Sequence, residues 1–157
     1  LKLASGYANI PKMLEKGINI ALGTDGAASN NNLNIMQDMY LFGVVYKGYF
    51  RDPTIITPAE VLHAATRAGA LSQGRDDSGL LAVGMRADLC VLNTDTPQFT
   101  PMTSAACNVV YAAQGADIRM TMVDGEVLYR DGEFKTIDIE KVKAEVQRRT
   151  DSILSRL

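Results

Sequence analysis

Only two cysteines and one histidine stand in this chain of 157 residues, and each scarcity removes a class of function. Cys90 and Cys107 are far apart and lie in apolar runs, which suits reduced, buried thiols and excludes a disulfide framework or a cysteine-built zinc finger. Charge of one sign is also missing. Sixteen basic and eighteen acidic residues leave a formal net charge of -2 with no basic run, so there is no electrostatic footprint for nucleic acid or an anionic membrane. No apolar run approaches the roughly 18 residues that a membrane span needs, and the opening "LKLASGYANIPKML" lacks signal-peptide architecture. The expectation is a soluble, cytoplasmic protein that engages neither nucleic acid nor membrane. The first residue is Leu1 rather than methionine and a folded segment starts almost at once, so the chain reads as a piece of something longer.

What is present is globular: 46% hydrophobic and 22% charged residues are enough for one core or two small ones. Pro11 in a first turn and Gly17 at a C-terminal cap predict a short helix from Ile10 to Lys16. The near-continuous apolar run Ile18 to Leu22 predicts a strand of the kind buried on both faces of a parallel sheet. A helix follows, with Leu33, Met36, Met39, Tyr40, Val44 and Tyr46 as its stripe and Ser29 and Asn30 to Asn32 as cap and turn residues. Thr57, Pro58 and Glu60 form a capping box for another helix that ends near Leu71 to Gly74.

After Gly79 the texture turns β-rich. "GLLAVG", "ADLCVLN", "NVVYAA" and "IRMTMVDGEVLYRDGEF" read as short strands, with Asp124-Gly125 and Asp131-Gly132 as hairpin turns. Asp138 caps a final amphipathic helix carrying Ile139, Val142, Val146, Ile153 and Leu157. The fold class is therefore α/β plus β, in segments 1–75, 76–136 and 137–157, with the first boundary around Gln73 to Gly79.

Asp25 is the candidate for chemistry. In parallel α/β sheets ligands gather at the carboxyl ends of strands, and only Gly23 and Thr24 separate Asp25 from the apolar run. A carboxylate there can ligate a metal or move a proton; equally, it can cap the turn and the following helix. Ser29 and Asn30 to Asn32, just beyond, could line a substrate pocket or serve as caps.

The runs "LKLASGYANIPKMLEKGINIALGTDGAASNNNLNIMQDM", "GLLAVGMRADLCVLN" and "VVYAAQGADIRMTMVDGEVLYRDGEF" resemble, in order, the C-terminal half of the amidohydrolase superfamily. Within it they are most similar to the branch of S-adenosylhomocysteine and methylthioadenosine deaminases and triazine chlorohydrolases. The resemblance implies the C-terminal fragment of a metal-dependent (β/α)8 barrel, followed by part of a small β-sandwich and a C-terminal helix. Ile18 to Leu22 would be the eighth barrel strand. Asp25 would be the aspartate that contacts one divalent metal, zinc or iron, and that takes and returns the proton of the attacking water. Ser29 and Asn30 would face the substrate. The resemblance further implies hydrolytic deamination of an amino-substituted heteroaromatic ring, with an adenine nucleoside bearing a 5′ thioether preferred. The metal would be held mainly by histidines upstream of this chain, in a missing N-terminal barrel half, and homo-oligomerisation stays open.

Other polar residues read as structural. His63, the only histidine, sits within the capped helix near its apolar side, and one carboxylate cannot hold a catalytic zinc that takes about three protein ligands. Asp76 and Asp77 in "RDDSG" read as a solvated connector. Cys90 reads as a small buried hydrophobe, and Met120 and Met122 as one face of a strand. Two alternatives remain at this level: a triazine-type chlorohydrolase, and a non-catalytic subunit or binding module.

Overall fold

The computed structural model describes residues 2–156; Leu1, and Leu157 at the end of the expected last stripe, lie outside the described residues. The longest helix of the first half, α3 (Ile35–Phe50), explains much of the packing. Its N-cap is Asn34, whose Oδ1 accepts the Met36 amide at 3.1 Å, rather than any of the asparagines 30–32. It buries Met36, Met39, Phe42 and Gly43. Leu33 precedes it and is exposed, as is Tyr40, so the buried stripe is narrower than the sequence pattern suggested. Before it come α1 (Ile10–Glu15), with Pro11 in its first turn, and the single turn α2 (Ala27–Asn30).

The capping box forms as expected at α4 (Pro58–Ala65). The Thr57 hydroxyl accepts the Glu60 amide at 3.4 Å and a Glu60 carboxylate oxygen accepts the Thr57 amide at 2.6 Å. The expected single helix breaks at Thr66, whose backbone sits at φ -125° and ψ -90°, and resumes as α5 (Arg67–Ser72). Thr66 turns its hydroxyl back onto the Leu62 carbonyl at 2.7 Å, a local bond that competes with the helix ladder.

Three expectations about strands fail, two of them among the helices. Residues 18–22 form no strand: Leu22 donates its amide to the Ala64 carbonyl at 2.9 Å, and the Asn19 side chain donates to the Ala68 carbonyl at 2.9 Å. A strand needs a laddered neighbour, and none of the described strands lies beside this segment. "NVVYAA" falls mostly in a helix, α6 (Ala105–Tyr111), started by the Ser104 hydroxyl accepting the Cys107 amide. A short apolar run serves a buried helix as well as a strand, and here the N-cap decides.

The helical layer closes around Met36, Met39, Phe42, Ile56, Val61, Ala64, Phe99, Val110 and Ala113. Phe99, Val61 and Val110 are at most 1% exposed, and each such side chain contributes about 1.5–3 kcal/mol through burial. Helices α3 and α6 meet at Gly43, where a Cβ would stand 3.0 Å from the Tyr111 ring. The Tyr111 hydroxyl in turn accepts the Lys47 ammonium at 2.6 Å.

The second half carries a four-stranded antiparallel sheet in the order β1 (Leu89–Leu92), β2 (Ile118–Val123), β3 (Glu126–Arg130) and β4 (Glu133–Phe134). Leu89 pairs with Met122 and Leu92 with Ile118. Both hairpins turn on the expected Asp-Gly pairs, with φ +52° and +81° at Asp124 and Gly125. Leu92 and Ile118 reach the helical core, while Met120 and Met122 are half-buried.

"GLLAVG" forms no strand and exposes Leu80, Leu81 and Val83. Gly79 before it has φ +77°, and a Cβ there would lie 2.8 Å from the Arg67 Cα, which no side chain tolerates. Helix α7 (Ile139–Leu154) begins at Asp138, whose carboxylate accepts the Lys141 amide at 3.0 Å, and none of its residues is buried. No described helix is long and apolar enough to cross a membrane.

Candidate active site

The segment leading to Asp25 is fastened from below. Ile20 and Leu22 pack against the helical core, and the Leu22–Ala64 bond ties the chain to α4. The chain then leaves the core at Asp25 with φ +60°, a left-handed conformation that is uncommon for a residue with a side chain. Such a conformation persists where surrounding bonds over-determine it.

Those bonds are present. One oxygen of the Asp25 carboxylate accepts the Gly26 amide at 2.7 Å and the other accepts the Ser29 hydroxyl at 2.7 Å. The Asn30 side-chain amide donates to the Thr24 carbonyl at 2.7 Å, closing a loop around the aspartate. The single turn α2 places Ser29 four residues after Asp25, and Asn31 ends it with φ +64°. The Ser29 hydroxyl and, after it, the Gly26 amide hold the Asp25 carboxyl below the usual carboxylate range, so the exposed group is anionic at neutral pH.

Asp25, Ser29 and Asn30 line one side of an open cleft of about 550 Å³, a size that suits a small-molecule ligand. Helix α3 supplies the facing wall with Asp38, Leu41 and Val45. The structure therefore brings all three expected site residues together, yet Ser29 and Asn30 direct their donors to Asp25 and to the Thr24 carbonyl.

Asp38 was not anticipated. Burial pushes its carboxyl above the ordinary range, and its Oδ2 is buried without a hydrogen-bond partner. The signal in the sequence is its spacing with Leu41 and Val45, one helical face that carries a carboxylate among apolar residues.

The other polar candidates lie elsewhere. His63 is exposed on α4 rather than turned to its apolar side, beside a separate hollow. Asp77 is more than a solvated loop residue: its carboxylate accepts the Arg86 guanidinium at 2.8 Å, which lowers its pKa, and Arg86 also reaches Asp124 at 3.3 Å. Asp76 is exposed, and its carbonyl accepts the Arg67 guanidinium at 2.9 Å. Both cysteines are exposed, contrary to expectation: Cys90 stands on the outer face of an edge strand and Cys107 on the outer side of α6.

Among the described residues no three His, Cys, Asp or Glu side chains converge into a metal cage. Asp25 itself fits one ligand position, since it offers a hard, anionic oxygen donor at the edge of an open cleft.

The profile of the Amidohydrolase family matches residues 1–128. A 5-methylthioadenosine/S-adenosylhomocysteine deaminase of Acetivibrio thermocellus is 43% identical over 98% of this chain and 36% of its own length. A 5′-deoxyadenosine deaminase of Methanosarcina mazei is 39% identical over 100% of this chain and 36% of its own length. The chain thus spans a little over a third of these relatives. Among solved structures, an adenosine deaminase from Xanthomonas campestris with bound zinc superposes with a TM-score of 0.94 at 28% identity, covering 98% of this chain and 35% of that one. An atrazine chlorohydrolase from Arthrobacter aurescens complexed with zinc gives a TM-score of 0.82 at 27% identity, covering 91% of this chain and 32% of that one.

Proposed function

Because this chain belongs to the amidohydrolase family, we propose that it is the part of a metal-dependent aminohydrolase that carries Asp25 as the proton-handling carboxylate, and that the complete protein deaminates an adenine nucleoside. The observation that carries this reading is the Asp25 carboxylate itself: anionic, exposed at a cleft, and fixed through both oxygens by Gly26 and Ser29.

The reaction is addition of water to the ring carbon that bears the amine, then loss of ammonia. Asp25 accepts a proton from the attacking water as the carbon–oxygen bond forms. It returns a proton to the amine as the carbon–nitrogen bond breaks, so one group acts as general base and then as general acid. A carboxylate held at low pKa is a weak base toward free water. A divalent metal, when bound, supplies the missing driving force by lowering the pKa of water from about 15.7 toward roughly 7. Asp25 would be one of its ligands, and the remaining ligands would come from parts of the protein outside this chain. Zinc is the metal the reading favours, given the zinc in both structural neighbours.

The segment 18–25 would take its place as the last strand and its catalytic tip once the rest of a (β/α)8 barrel lies beside it, and the four-stranded sheet would be part of a β-sandwich.

Two supports favour a nucleoside over a triazine. Two relatives named as methylthioadenosine/S-adenosylhomocysteine deaminases are 43% and 38% identical to this chain, and of the two solved neighbours, at 28% and 27% identity, the adenosine deaminase superposes better, with a TM-score of 0.94 against 0.82 for the chlorohydrolase. The turn of residues 27–32 also brings the Asn30 side chain to the cleft; its amide nitrogen is committed to the Thr24 carbonyl, but its side-chain oxygen can accept from a purine or ribose, which offers more matching partners than a triazine. Sites built around such polar pairs discriminate strongly against analogues that leave them unpaired. Comparing kcat/KM for methylthioadenosine, adenosine and a chlorotriazine on the complete, metal-loaded protein is expected to rank methylthioadenosine first. A clear preference for the chlorotriazine would overturn the substrate assignment.

A further inference from the structure

We propose that Ser29 is a positioning residue, which acts on the reaction by holding the Asp25 carboxylate rather than by touching the substrate. The inference rests on the reading of Asp25 as the proton-handling group and gives a different role to a side chain expected to face the substrate.

Three features lead to it. The first is proton inventory. A serine hydroxyl has a single hydrogen to donate, and the Ser29 oxygen lies 2.7 Å from an Asp25 oxygen and 3.0 Å from the Gly26 carbonyl. The carboxylate is both closer and charged, so it takes the hydrogen. A substrate atom that needed a donor from Ser29 would have to release Asp25.

The second feature is that both torsions of the aspartate are set at once. With the Gly26 amide on one oxygen and the Ser29 hydroxyl on the other, neither rotation about Cα–Cβ nor rotation of the carboxylate plane is free. Each oxygen keeps a further lone-pair direction for the cleft.

The third is that Ser29 is itself held. Its amide donates to the Gly26 carbonyl at 3.1 Å, the Asn30 amide donates to the same carbonyl at 2.9 Å, and the Asn30 side chain grips the Thr24 carbonyl at 2.7 Å. The clamp and the residue it clamps thus belong to one closed seven-residue loop, Thr24 to Asn30. Positioning matters because a reacting group displaced by about 1 Å can cost on the order of a hundredfold in rate.

The test uses the complete, zinc-loaded protein with methylthioadenosine, with zinc content measured for each variant. Ser29→Ala is expected to lower kcat about ten- to a hundredfold while KM stays within about twofold of wild type, because substrate binding is not its task. Ser29→Thr keeps the hydroxyl and is expected to recover most of the lost kcat. In the Asp25→Asn background, adding Ser29→Ala is expected to cost nothing more, since a residue that works through Asp25 has nothing left to position. A rise in KM at unchanged kcat, no rescue by Ser29→Thr, or a full additional loss in the double variant would each overturn the proposal. If Ser29→Ala matches wild type while Asp25→Asn is inactive, only the role of Ser29 falls. If Asp25→Asn is itself active, the reading of Asp25 falls first.

Discussion

Asp25→Asn in the complete, metal-loaded protein is expected to lower turnover by roughly two orders of magnitude or more, the usual cost of losing a general base. The substitution keeps the size and planarity of the side chain. One side-chain position can still accept the Gly26 amide, as Oδ1 does now at 2.7 Å. The new amide nitrogen, in contrast, cannot accept the Ser29 hydroxyl, take a proton from water or offer an anionic oxygen to a metal. Fold should survive, because Asp25 is exposed and contributes nothing to the buried core. Zinc content must be brought to the wild-type level before rates are compared, so that a loss of metal is not read as a loss of base. Near wild-type turnover in a folded, zinc-replete variant would remove Asp25 from the chemistry.

The 157 residues produced alone are expected to show no deaminase activity and to hold no stoichiometric zinc. The argument is a count of ligands. A catalytic zinc takes about three protein ligands. Among the described residues no three candidate side chains converge, and His63 lies beside a different hollow from Asp25. Solubility should suffer as well, since Leu81 is 74% and Val83 105% exposed, together with Leu80 and Leu33. Such apolar surface promotes association. Elemental analysis and an ammonia-release assay on the purified chain check both statements. One tightly held zinc per molecule, or measurable deamination, would contradict the account.

Much of this molecule could be read from sequence where the information is local. The capping box at Thr57 and Glu60, the Asp-Gly hairpins and the Asp138 cap each depend on residues at most four positions apart, and each forms as expected. The Ser29–Asp25 bond is local in the same way, because a four-residue spacing after a turn brings Ser29 back onto Asp25, although the sequence pointed Ser29 to a substrate or a cap instead.

What sequence missed depends on partners distant along the chain. Residues 18–22 have the composition of a buried strand, but pairing is a property of two strands, and here Leu22 bonds to Ala64 instead. "NVVYAA" carries β-branched residues that suit a sheet, yet Val110 and Tyr111 are needed against Gly43 of α3, a contact 67 to 68 residues away in sequence that only the helix provides. The cysteines look buried by composition, but a side chain in an apolar run is covered only if another layer lies over that face. Asp38 escaped notice because a lone acidic residue in the first turn of a helix is ordinary. Its burial becomes visible only when α3 forms the wall of the cleft.

The proposed function places the Asp25 carboxylate at the reacting centre of a zinc-dependent deaminase. The most direct measurement is a crystal structure of the complete protein with zinc, located by anomalous scattering at the zinc edge, and with a slowly processed nucleoside analogue in the cleft. The account predicts an Asp25 oxygen within bonding distance of the zinc, the Gly26 and Ser29 bonds retained, and the ring carbon that bears the leaving amine facing the same carboxylate. A zinc bound elsewhere, with Asp25 bonded only to its own turn and the nucleoside seated away from it, would contradict the account.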